Sequence, residues 1–87
     1  MSDVRDLIFD FNEDALFADG FDDAIIGIAR RINMEPVVTY DLEKCANILV
    51  ERDGMEYSDA VEYLEFNAVG AWMGEQTPIF IDTAIIE

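Results

Sequence analysis

Histidine is absent from these 87 residues, cysteine occurs once, and only five lysines and arginines stand against twenty aspartates and glutamates. Each shortage excludes something. Cys45 has no second cysteine to pair with, so an intramolecular disulfide is impossible and a reducing compartment fits. Nor is there a histidine to activate it as a nucleophile. Among Leu42, Ala46 and Leu49 it reads instead as a small core residue. The scarcity of cations leaves a net charge of −15, which opposes direct contact with nucleic acid or anionic membranes. Uninterrupted apolar runs are short: Ala84-Ile85-Ile86 is far below the length needed to cross a bilayer. MSDVRDLIFDF at the start lacks the basic and apolar regions of a signal peptide. A soluble protein of the cytoplasm is therefore expected. There is no P-loop, dinucleotide fingerprint or cysteine cluster, and no cofactor is expected.

What the chain does have is apolar mass: 52% of residues are hydrophobic and ten are aromatic. That argues against disorder despite the charge. One domain over 1–87 is expected, burying about 60–65% of the surface exposed by the unfolded chain. Residues 1–20 are poorly defined by pattern, reading as a short element, a turn and a short strand near 15–18. From Asp22 or Asp23 a helix is predicted, with Ala24, Ile25, Ile28 and Ile32 on one face, Arg30 and Arg31 in its last turn and Asn33 at its end. Pro36–Tyr40 reads as a strand. Asp41 then caps a helix with the stripe Leu42, Cys45, Ile48 and Leu49, closed by Asp53-Gly54. A third helix is predicted from Tyr57 to Met73, burying Tyr57, Val61, Leu64, Ala68, Ala71 and Trp72 and ending at Gly74. Thr77–Ile81 is a last strand, expected to pair with Val37–Tyr40. The fold class is α/β or α+β, with two or three strands packed against two or three helices over a core at 22–81.

Within EYLEFNAVGAWMGEQTPIF (62–80), Gly70 interrupts a helical pattern at a cost of about 1 kcal/mol relative to alanine. Close approach of another backbone would explain it. Gly70, Trp72 and Gly74 then form a candidate apolar interface, for self-association as a homodimer or for docking a partner. A GxxxG membrane reading fails for want of a span. Asn67, an amide in an apolar stretch, is expected to be buried and to tether a neighbouring loop.

YDLEKC (40–45), RDGM (52–55), AVEYLEFN (60–67) and GAWMGEQTP (70–78) together resemble small acidic uncharacterised proteins of tailed bacteriophages. The resemblance covers roughly Asp22 to Ile81, and EFN…GA…GE…TP is its most specific part. It implies an accessory phage protein acting in the cytoplasm of an infected bacterial cell. It carries no activity and no catalytic residues onto these positions.

The acids remain to be assigned. Asp10, Asn12 and Asp14 match the first ligand positions of a calcium-binding loop, but Ala15 and Phe21 occupy the places of the required glycine and bidentate glutamate. They are a weak metal candidate. Asp22 or Asp23 with Asp41 or Glu43 lack a nearby lysine or histidine to complete a hydrolytic arrangement, and no enzyme is expected. Glu56, Asp59, Glu62 and Glu65 recur every three residues, forming a slanting stripe on a helix that Glu51 and Asp53 extend. This stripe is the candidate partner-binding surface, against a basic, possibly nucleic-acid-binding host protein, by imitation of a phosphate strand.

Overall fold

The computed structural model describes residues 4–70 and 73–83. In order they form α1 (Val4–Phe9), a 3₁₀ turn at Asp22–Ala24, β1 (Ile25–Arg31), β2 (Met34–Asp41), α2 (Leu42–Asp53), α3 (Tyr57–Leu64), a π-helical turn (Glu65–Val69) and β3 (Ile79–Ile81). The strands make one mixed sheet in the order β1-β2-β3, with β1 antiparallel and β3 parallel to the central β2. This is the expected α+β domain, and β3 pairs with β2 as the sequence suggested.

The segment after Asp23 is not a helix. Its isoleucines fit a 3.6-residue period, but Ile25, Ile26 and Ile28 are β-branched and suit a pleated surface better. Gly27, with φ 154°, sits beside a bulge in the β1–β2 ladder, a conformation that other residues rarely adopt. Asn33, at φ 63°, is the left-handed corner that folds the chain back so that Arg31 meets Met34. Local hairpin pairing therefore overrides the helical period, and Arg30 and Arg31 close a strand. The expected strand near 15–18 is also absent; Ala15–Ala18 is irregular.

β2 organises the core. Val38 and Tyr40 are fully buried on the helix-covered face, beside Cys45, Ala46 and Leu49 of α2, Ala60 and Leu64 of α3, and Ile8 of α1. The Tyr40 ring stacks on Phe80 of β3 at 5.1 Å, and its hydroxyl accepts the Ala18 amide at 2.7 Å. Asn12 ties the same N-terminal segment down: its amide donates to Pro36 O at 2.8 Å and to Gln76, while its Oδ1 accepts the Asp14 N–H. The residues with the least legible sequence are thus held by side-chain hydrogen bonds instead of by a ladder.

Asp41 caps α2 as expected, its Oδ1 accepting from Glu43 N at 2.9 Å and Lys44 N at 3.4 Å, and Gly54 closes the helix in a left-handed conformation. The third helix departs from expectation after Leu64, where it widens into the π turn. Ala60, not Tyr57, fills the core, and Tyr57 is half exposed. Asn67 is exposed and donates to the Tyr63 carbonyl one turn back, so it tethers no loop.

Replacing Tyr40 with phenylalanine removes the acceptor of the Ala18 amide while keeping the stacked ring. Urea unfolding of Tyr40→Phe is expected to show stability lowered by about 1 kcal/mol. An unchanged midpoint and slope would show that this hydroxyl does not hold the N-terminal segment.

Candidate functional site

The two helices after β2 bury one face and present the other. Cys45, Ala46 and Leu49 point inward from α2 and Ala60 and Leu64 from α3. That phasing leaves Glu51, Asp53, Glu56, Asp59, Glu62 and Glu65 exposed. Asp59 and Glu62 lie on α3 itself, Glu56 is its N-terminal boundary, and Glu65 opens the π turn. Glu51 and Asp53 end α2, across the Gly54–Met55 connection. Of these six, only Asp53 forms an ion pair among the described residues, with Arg52 at 3.1 Å. The hydrogen bond from that guanidinium holds the Asp53 carboxyl below its ordinary value. The other five are not neutralised by any described cation.

Next to the stripe, α2, α3 and the end of β3 enclose a cleft of about 120 Å³. Leu42, Val61 and Leu64 supply apolar lining, and Glu43, Glu65 and Asp82 are among the residues that border it. Tyr57 donates its hydroxyl to Glu43 Oε2 at 2.7 Å. That bond to a carboxylate, helped by desolvation, raises the Tyr57 pKa and keeps the phenol protonated. Sequence reading missed Glu43 and Asp82 as part of this surface. The available signal was strand pairing: a parallel β2–β3 ladder sets Asp41 beside Ile81, which brings the residues that follow both strands together.

The glycine surface is built differently from the expectation. Gly70 N donates to Glu65 O at 3.0 Å, the long-range closure of a π turn, and a Cβ on Gly70 would lie 3.0 Å from that same carbonyl. The backbone that crowds Gly70 is its own turn. Gly74 has φ 96° and heads a tight turn in which Thr77 Oγ1 bonds to Gly74 O and accepts from Met73 N. Ala71 and Trp72 lie outside the described residues. Phe66 and Val69 are the large exposed apolar side chains of the π turn.

Asp10 and Asp14 are exposed, and Asn12 is buried and spent on structural hydrogen bonds. Among the described residues no group of three or more carboxylate or cysteine side chains converges as metal ligands. Cys45 is buried, and desolvation pushes its thiol up to about 11. Among the described residues, no helix is long and apolar enough to cross a membrane. Comparison with protein-family models, curated proteins and solved structures finds no match for this chain.

Two outcomes are expected from this chemistry. Excess calcium leaves the melting temperature unchanged, whereas a site filled at a hundred times its Kd would add about 2.7 kcal/mol of stability; a clear upward shift in a thermal scan would reinstate Asp10, Asn12 and Asp14. Cys45 is expected to resist alkylation at neutral pH until the chain unfolds. Its thiol ionises at its ordinary value of 9.0 when unfolded but only at about 11 when folded. The unfolded chain thus loses its proton first, and stability falls as pH rises through that interval. Constant stability from pH 9 to 11 in urea titrations would contradict the burial of Cys45.

Proposed function

We propose that this protein is a non-enzymatic binding protein whose α2–α3 face engages a basic surface on another protein. The observation that carries this reading is the unneutralised stripe Glu56, Asp59, Glu62 and Glu65 beside an apolar cleft edged by carboxylates. A lysine or arginine from a partner has a long aliphatic stem and a charged head. Leu42, Val61 and Leu64 suit the stem, and Glu43, Glu65 and Asp82 suit the head. Solubility alone would account for a dispersed stripe; an apolar cleft bordered by Glu43, Glu65 and Asp82 beside it is what favours a binding surface.

The length of the stripe limits what it imitates. The nine residue steps from Glu56 to Glu65 rise about 13.5 Å along a helix. At about 3.4 Å per charge along one strand, that matches about four phosphates. Such a surface fits one wall of a basic groove in a nucleic-acid-binding protein, which it would occupy and thereby inhibit or redirect. The resemblance to phage proteins makes that partner a host protein in an infected bacterial cell. The apolar alternative rests on exposed Phe66 and Val69, since Gly70 and Gly74 belong to separate turns and present no common helical face.

Pull-downs from bacterial lysate with wild-type protein and with the variant D59N/E62Q/E65Q test the reading. The wild type is expected to retain basic, nucleic-acid-binding proteins at low salt. Duplex DNA or about 0.5 M salt, where screening shrinks to a few ångströms, should release them. The neutralised variant should retain at least tenfold less. Equal retention by both proteins in high salt would overturn the reading and favour the apolar surface.

A further inference from the structure

β1 is an edge strand. β2 takes one side of Ile25–Arg31, and among the described residues no strand pairs with the other. A seven-residue edge with unpaired N–H and C=O groups is a template for another strand. Its composition is unusual in a chain of net charge −15. Ile25–Ala29 carries no charge. Just before it, Asp23 is exposed, as is Asp19, which pairs with Arg5 at 3.3 Å; at its far end, Arg30 and Arg31 are exposed and form no ion pair among the described residues. Arg30 lies over the Phe11 ring at 5.5 Å, a contact that leaves its charge without an acid. The apolar strand is therefore negative at its start and positive at its end.

The surface beside this edge is also apolar. Leu7, Phe11 and Ile26 are 51%, 57% and 45% exposed, and all three border a cavity of about 300 Å³ between the N-terminal segment and β1. Charged residues and bulges commonly blunt edges against pairing. Here the charges flank the apolar stretch, and the irregularities of β1, at Ile25/Gly27 and Ala29/Arg31, lie in its ladder with β2.

We infer that the free edge of β1 pairs antiparallel with β1 of a second copy, giving a two-fold dimer with a continuous six-stranded sheet. Charge complementarity selects this occupant. A two-fold axis near Gly27 sets the arginine end of each strand toward the aspartate end of the other, twice per interface. Parallel pairing would instead set arginine against arginine. Leu7, Phe11 and Ile26 of each copy then flank the joint and lose water contact. This surface is separate from the acidic α2–α3 face, and neither inference depends on the other.

Light scattering after size exclusion, at about 0.15 M salt, where charges more than about 8 Å apart are largely screened, reads the mass directly. The wild type is expected to show a concentration-dependent doubling of the 9.9 kDa chain mass. R30E/R31E and D19K/D23K, each confirmed folded by circular dichroism, should both remain monomers alone. Mixed in equal amounts they should restore the dimer, because every charge contact across the two-fold then joins opposite signs. Ile26→Lys should stay monomeric in every mixture. A wild type that remains a monomer as concentration rises overturns the inference, and so does a mixture of the two charge variants that fails to associate.

Discussion

The end of β2 is the point on which the rest of the fold depends. Tyr40 is wholly buried, stacked on Phe80 of β3, paired with Ile25 of β1 and hydrogen-bonded to the backbone at Ala18. The next residue, Asp41, caps α2 and accepts from Thr83 Oγ1 at 2.9 Å. Two consecutive residues thus connect the three described strands, one helix and the N-terminal segment. A domain of this length has little burial to spare, and concentrating several contacts on one strand end lets a three-stranded sheet organise the whole chain.

The consequences for function follow from which faces that node leaves free. Anchoring α2 by its cap and α3 by Ala60 and Leu64 fixes the outward direction of the acids. It also brings the end of β3, and Asp82 with it, to the mouth of the cleft between the helices. At the other side of the sheet β1 pairs only inward, leaving an apolar edge with charge of opposite sign at its two ends. The acidic face and the strand edge are consequences of the same arrangement, but they offer different chemistry: unneutralised carboxylates on one, backbone hydrogen bonding and apolar contact on the other.

The elements visible in the sequence were those whose signals are local. Asp41, the Leu42–Leu49 stripe and Gly54 define α2 almost without tertiary help, and Val37–Tyr40 is strand by composition. β1 is not legible as a strand because Ala24, Ile25, Ile28 and Ile32 satisfy helical spacing by chance, while the deciding fact, a left-handed Asn33 that permits a hairpin, concerns the next strand. The N-terminal segment was illegible because its order comes from Asn12 reaching Pro36 and Gln76 and from Ala18 reaching Tyr40. Such long-range bonds leave no periodic trace. For the candidate site, exposure of the acidic stripe followed from helix phase alone. The cleft is bordered by residues of three elements, and its Glu43 and Asp82 side depends on the parallel β2–β3 ladder, which sets Asp41 beside Ile81. Gly70 signalled a special backbone, but sequence does not distinguish a close neighbour from a π turn.

The most direct test of the account is to map the contact surface by NMR, titrating a purified partner that binds in low salt into the isotope-labelled protein. The account predicts that the largest backbone shift changes fall on Glu43, Asp59, Glu62, Glu65 and Asp82, with Leu7, Phe11 and β1 unmoved. Changes centred on Phe66 and Val69, or on Ile25–Arg31, would contradict the assignment of the α2–α3 face as the binding surface.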